Sequence, residues 1–270
     1  MNQIVREAAV AGRFYPAEPE RLRADLDACL PYQAERRRVI ACLVPHAGYM
    51  YSGAVAGAVF SQIDIPPSAL VLGPNHSGRG HPLAIMTEGE WRTPLGGAVI
   101  DSPLAQELLN RFPALAEDSA AHRFEHSIEV ELPFLQARRR DLKFVPIVMG
   151  TGRMIILEQL GRAIAEVVEN RRGEVLIVAS SDLNHYEDDP TTRIKDHKAI
   201  EKILALDGRG LYQTVINESI SMCGFAPAIT MLTAVSILGA HKTELVRYAT
   251  SAEASGDYST VVGYAGIMIE

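Results

Sequence analysis

Residues 174–186 read Glu174-Val175-Leu176-Ile177-Val178-Ala179-Ser180-Ser181-Asp182-Leu183-Asn184-His185-Tyr186. The apolar run is too short for an ordinary helix and has no polar alternation, so it predicts a strand, Glu174 to Ala179, covered on both faces. Working outward, Val39–Val44 has the same character and runs into Pro45-His46-Ala47-Gly48. Ala69–Gly73 runs into Pro74-Asn75-His76-Ser77-Gly78, and Lys143–Val148 is a further buried strand. Glu244–Ala249 and Ser259–Ile269 add two near the end. Between them lie amphipathic stretches that predict helices at Glu18–Leu30, Gly53–Gln62, Ser102–Arg111, His126–Arg138 and Met154–Arg171. Others are expected at Arg193–Leu206, Gly208–Ile216 and Pro227–Leu238. Strands crossed by helices imply an α/β protein with a three-layer αβα architecture around a mostly parallel or mixed sheet. One domain spanning residues 1–270 is expected. Arg79–Pro103 is read as its longest loop-rich region.

Composition narrows the function. The 270 residues are 47% hydrophobic, enough for one large core, and carry a formal net charge of −7. That balance argues against nucleic acid as partner, because phosphate neutralisation dominates such binding. It also gives no attraction to anionic membranes. Every apolar run is cut by charge, Gly or Pro before it reaches the length of a membrane span. The N-terminus lacks a hydrophobic signal core. Three widely spaced cysteines, Cys29, Cys42 and Cys223, do not form a disulfide framework. Reduced thiols in a cytoplasmic protein are expected.

Chemistry gathers at the downstream strand ends. Three buried strands each deliver a histidine (His46, His76, His185) just past their carboxyl ends, where ligands bind in open α/β sheets. Any one of them alone reads as a structural hydrogen-bonding group. The three together predict a site. Cys223, in Ser221-Met222-Cys223-Gly224, precedes a helical run, which would lower its pKa and favour a reactive or metal-binding thiolate. An ordinary small buried residue is the competing reading. His126 and Glu129 lie three apart and share a face if helical. The segment is read either as a capped, solvated helix start or as placing His126 in the pocket. Gly48, Gly53, Gly73 and Gly78 are expected to permit tight turns around the site. Trp91 and Tyr51 could wall it.

The set Gly12-Arg13-Phe14-Tyr15-Pro16, PHAGYMYSG, LGPNHSG, WRTPLG, EHSIEVELPFL, SSDLNHY, MCGFAP and VVGYAG resembles the Memo family (mediator of cell motility). Its microbial members are called AmmeMemoRadiSam system protein B. The resemblance runs from Val5 to Ile269. It implies a fold like that of class III extradiol dioxygenases, which hold Fe(II) with two histidines and one carboxylate. By motif, His46 and His76 would be the imidazole ligands, and Cys223 would stand where those enzymes use the carboxylate. His185 would be the acid/base with Asp182 beside it, and His126 would line the pocket. His81 ranks as a reserve ligand. A thiolate makes iron(II), copper and zinc all credible, with iron(II) first. The resemblance implies an iron-dependent redox enzyme of unknown substrate, or a non-catalytic phosphopeptide or anion-binding module using the same pocket. For the second, the GPNHSGRG loop with Arg79 could cradle an anion. A zinc hydrolase with Asp182 or His185 as base ranks third. The family's microbial grouping also implies pathway partners that include a radical enzyme; a small-molecule or peptide ligand is expected, and enzymes of this architecture commonly pair as homo-oligomers.

Overall fold

The computed structural model describes residues 4–270. Strand β1 (Val5–Arg6) and helix α1 (Pro19–Cys29) lead to β2 (Ala41–Val44), α2 (Tyr49–Gln62) and β3 (Ser68–Pro74). Three short strands follow, β4 (Leu83–Ile85), β5 (Glu90–Thr93) and β6 (Gly96–Ile100). Next come α3 (Ser102–Arg111), β7 (Ala116–Glu117), the single turn α4 (Ser119–His122), and α5 (Leu132–Arg138). β8 (Lys143–Met149), α6 (Met154–Glu169), β9 (Val175–Ser180), β10 (His185–Glu187), α7 (Asp189–Leu204) and α8 (Gly208–Asn217) continue the chain. α9 (Phe225–Ile237), β11 (Thr243–Thr250), α10 (Ala252–Ser255) and β12 (Val261–Ile269) complete it.

The sheet order is β1-β5-β6-β8-β3-β9-β2-β12-β10, with β11 on β12, β4 on β8 and β7 on β4. The centre, β6-β8-β3-β9-β2, is parallel, whereas β5/β6, β2/β12, β10/β12 and β11/β12 are antiparallel. The sheet is therefore mixed. Two glycines of β12 show the helical layers. A side chain at Gly266 would strike Val55 and Val59 of α2, and one at Gly263 would strike Asp196 of α7. Positions three apart on a strand face opposite ways, so α2 and α7 cover opposite faces. α6 packs on α9, and α8 packs on both α9 and α7, while α1 and α5 pack on α2. Every residue of β2, β3 and β9 is buried, as their continuous apolar sequences require.

Three differences from the sequence reading have physical causes. Arg79–Pro103 is not loop: it holds β4, β5 and β6, strands of three to five residues, too short for their alternation to show. Trp91 lies in β5 and is fully buried, with the Arg6 guanidinium 4.1 Å from its ring centre, so it is core rather than a pocket wall. The helix expected from His126 begins only at Leu132, after a 3-10 turn at Glu129–Glu131. There the carboxylates take over the role of helical carbonyls. Glu125 accepts the His126 and Ser127 N–H groups, and Glu129 accepts those of Ala9 and Val10. Glu129, paired with Arg6 and bonded by the Tyr15 hydroxyl at 2.7 Å, anchors the N-terminal arm. It is not a pocket group.

Candidate metal centre

β3, β9 and β2 are neighbours, and each strand's second residue past its end is polar: His76 after Pro74, Asp182 after Ser180, His46 after Val44. Parallel strands in register deliver those loops to one edge. The turn ahead of α9 brings Cys223 to the same point. Donor atoms of His46, His76 and Cys223 all lie within 4.8 Å of one another, with His46 Nε2 3.2 Å from Cys223 Sγ. Metal–nitrogen bonds of about 2.0 Å and metal–sulfur bonds of about 2.3 Å at a tetrahedral angle separate such donors by roughly 3.5 Å, so the spacing suits a shared ion. His46 and Cys223 are buried or half-buried while His76 is exposed, which leaves the site open on the His76 side.

Each ring is held by its far nitrogen. His76 Nδ1 lies 2.9 Å from Glu125 Oε1, and the His76 backbone N–H donates to Glu125 Oε2 at 2.6 Å. Burial opposes the charge on Glu125, but the His76 hydrogen bond, the His76 ring and the Ser127 N–H outweigh it and hold its carboxyl at about 2. The ionised carboxylate makes Nδ1 of His76 the protonated nitrogen and leaves Nε2 as the donor. His185 Nδ1 sits 2.9 Å from the Ser221 carbonyl, an acceptor only, so its Nε2 lone pair is likewise free. His46 Nδ1 lies 2.8 Å from Ser180 Oγ. Asp182 accepts the His46 backbone N–H at 2.8 Å, fixing the loop that carries this ring.

Burial and the neighbouring imidazoles push the His46 ring well below its ordinary pKa. Burial also lowers His185, and brings His126 to about 4 against the opposing pull of Glu125. All three are neutral near pH 7. Burial lifts Asp182 to about 7 despite the N–H groups of His46 and Ala47. The Cys223 thiol is raised, by burial first and Asp182 second, rather than lowered as its place before a helix suggests. Contacts with Ser181 and with the N–H of Gly224, the cap residue of α9, pull the thiol the other way but do not offset burial and Asp182. In the metal-free protein Cys223 is a thiol, and a bound cation is what would ionise it.

His126 does join the site. Its ring stacks on His76 (centroids 4.6 Å, 18°) and meets the His46 ring edge at 5.4 Å. His76, Glu125 and His126 also cluster closely enough to hold an ion. Glu125, however, already accepts four hydrogen bonds, which makes it an orienting group and not a ligand. His81 stands outside both clusters and bonds the Leu83 carbonyl. Of the four glycines expected to make tight turns, Gly78 alone has positive φ (+63°). Gly73 serves close approach instead: a side chain there would drive into Ser127 and Ile128.

Sequence reasoning missed Glu125, Ser180, Ser221 and Phe14. Glu125 was visible only as one acid in an ionisable run, although its place directly before His126 in the EHS motif was a signal. Phe14, in the Gly12–Pro16 motif, has its ring centre 4.7 Å from that of His126. For Ser180 and Ser221 no sequence signal existed.

The fold and these residues define a class: mixed α/β proteins that gather two imidazoles and a thiol at the carboxyl edge of a parallel sheet. The family model described as Memo-like protein matches residues 6–268, and the chain belongs to the Memo family. MEMO1 family proteins of Methanopyrus kandleri (42% identical, 97% of this chain and 98% of that one) and Methanosarcina barkeri (40%, 98% and 100%) align along its whole length. One from Aquifex aeolicus is 40% identical over 98% of each chain. Among solved structures, an uncharacterized Escherichia coli K12 protein superposes with TM-score 0.58 over 85% of this chain and 99% of that one. At 13% identity that likeness shows the shared fold. No helix among the described residues is long and apolar enough to cross a membrane.

Proposed function

We propose that this chain is a metal-dependent oxidoreductase acting on a small molecule, with Fe(II) held by His46, His76 and Cys223. The observation that carries the reading is the donor set itself. Two imidazole nitrogens and one sulfur converge, and the two rings are fixed by Ser180 and Glu125. Three protein ligands leave coordination positions for substrate, as catalytic centres need. Bound there, Fe(II) supplies one-electron chemistry toward dioxygen. Copper(I) and zinc compete for the same soft donors.

The chain's own residues do the rest. His185, neutral and with its Nδ1 proton committed to the Ser221 carbonyl, presents a basic Nε2 that takes a substrate proton and returns it. Asp182 holds the His46 loop and, at about 7, carries a proton for part of the population at neutral pH. His126 walls the approach beside His76. The likeness of the motifs to the extradiol dioxygenase arrangement supports the assignment, and reduced cysteines suit a cytoplasmic setting. The anion-binding reading has less support. The N–H groups of Gly78, Arg79 and His81 are already taken by Asn75 Oδ1, Ser77 Oγ and Asp118 Oδ2.

The test is metal analysis of protein purified anaerobically and reconstituted with Fe(II), compared with His46→Ala. The wild type is expected to hold about one equivalent and to give a nitric oxide adduct signal in electron paramagnetic resonance, because open positions remain. Negligible metal in both proteins removes the proposal. Zinc retained against excess Fe(II) removes its redox part.

A further inference from the structure

Beneath the metal-facing edge lies a buried carboxyl group that the proposed chemistry does not use. Glu131 is fully buried, its Oε1 is 2.9 Å from Ser180 Oγ, and its Oε2 has no hydrogen-bond partner. Ser180 Oγ is the meeting point of three polar atoms: Glu131 Oε1, His46 Nδ1 at 2.8 Å and the Ser127 carbonyl at 2.6 Å. The hydroxyl owns one proton and two acceptor lone pairs. Of its three neighbours, only the Ser127 carbonyl is unable to donate. At 2.6 Å an undonated oxygen pair would be repulsive, so the Ser180 proton goes to Ser127. Both other contacts must then point inward. His46 donates from Nδ1, and Glu131 donates from a protonated carboxyl. No other arrangement fills all three contacts.

We infer that Glu131 is a neutral carboxylic acid and a positioning residue, which acts through Ser180 to lock His46 in the tautomer whose Nε2 lone pair faces Cys223 and the metal. Burial first, with the nearby Asp182, favours the uncharged form and outweighs the Ser180 contact that would favour the anion, in agreement with the hydrogen-bond count. An ionised Glu131 would capture the Ser180 proton, leaving the Ser127 carbonyl without a donor and adding a buried negative charge below the ligand. A neutral acid is a donor that brings no charge. It can therefore fix the ring without competing with Cys223 for the cation. The consequence for metal affinity rests on the proposed centre, but the proton arrangement belongs to the metal-free protein and is tested there.

Infrared spectra of the metal-free protein at neutral pH are compared between wild type and Glu131→Gln. A carboxylic-acid carbonyl band present in the wild type and lost in the variant is expected. Carbon-13 glutamate labelling of the wild type identifies the same band even if the variant fails to fold. A carboxylate band in its place overturns the inference. Nitrogen NMR of His46 is expected to show the Nδ1–H tautomer in wild type and in Glu131→Gln, whose amide still donates, and a mixture in Ser180→Ala. An unchanged tautomer in Ser180→Ala also overturns it. With zinc(II) as the probe, Glu131→Gln is expected to bind within a few-fold of wild type, and Glu131→Leu and Ser180→Ala about 10-fold more weakly. Equal loss in Glu131→Gln and Glu131→Leu overturns the neutral-donor role. Negligible zinc binding by every protein, with the infrared and NMR results as expected, rejects the metal centre and keeps the proton arrangement.

Discussion

At the scale of single residues, the three donors of the candidate site are in a protonation state that would take up a metal only by exchanging a proton for it. His46 is neutral because burial and three nearby imidazoles disfavour its charge, and Cys223 is a thiol because burial and Asp182 disfavour its anion. Uptake of a divalent ion should therefore release about one proton, from Cys223, and affinity should rise about tenfold per pH unit through the neutral range. Competition against a chromophoric chelator at several pH values measures this, and an affinity independent of pH contradicts it. Tyr186 shows a different bargain. It is the extra residue of a bulge between His185 and Glu187, sits at φ +65°, and is 77% exposed with its ring 5.5 Å from that of His185. A non-glycine residue there stores about 1–3 kcal/mol of strain. Exposure means few contacts repay it. Tyr186→Gly should raise stability by about 1 kcal/mol after the added freedom of the unfolded chain is deducted. A lower urea midpoint for the variant would show that the ring's contacts outweigh the strain.

At the scale of elements, close approach sets the geometry around the pocket. Gly57 of α2 faces the Cys29 backbone at the end of α1, and a side chain at that position would overlap the Cys29 carbonyl. Alanine is the better helix former by about 1 kcal/mol. Overpacking against immovable backbone costs about 1–3 kcal/mol, so the clash prevails. Gly57→Ala should lower stability by about 1–2 kcal/mol in equilibrium unfolding, whereas a gain would mean that α1 shifts freely. Such contacts join residues far apart in the chain, which is why nothing in the sequence marks Gly57, and why Gly53, which meets the Cys29 side chain from within α2, reads as a turn glycine. The same limit explains what was legible. β2, β3, β8 and β9 announced themselves by unbroken apolar runs, and their downstream histidines located the site. α7 begins at Asp189, four residues before the expected Arg193, because Asp188 caps Thr191 N–H and Pro190 suits a first helical turn. That signal was local and overlooked. The late start of α5 was not local, since it depends on the N-terminal arm claiming Glu129 from over a hundred residues away. His46, His76, Cys223, His126 and His185 were all named in advance. The groups that orient them, Glu125, Ser180 and Ser221, acquire their roles only through folding.

At the scale of the whole molecule, stability depends on pH through opposing groups. His122 is fully buried against Trp91, neither ring nitrogen has a well-formed hydrogen bond, and burial lowers it to about 3, with Arg6 adding to the effect. A histidine neutral in the fold and titrating near 6.5 when unfolded leaves the unfolded chain with more bound protons between those values. Its contribution is fully present above about pH 6.5 and is lost as pH falls toward 3. His126 and His46 act in the same direction. Asp182, raised to about 7, and Asp196, raised by burial to about 6, act oppositely. Their contributions are complete below the ordinary carboxyl range and are lost as pH rises through the folded values. The wild-type profile between pH 4 and 7 is thus a partial cancellation, and a difference measurement isolates one group. His122→Phe keeps the ring against Trp91 and removes the proton. Whatever its cost at pH 7, the variant should gain on the wild type by about 1.4 kcal/mol for each pH unit below about 6.5, until the pH nears 3. Urea midpoints of both metal-free proteins at pH 7 and pH 5 decide it: parallel shifts would mean that His122 takes up its proton inside the fold, and a gain near 2 kcal/mol that the core holds it neutral.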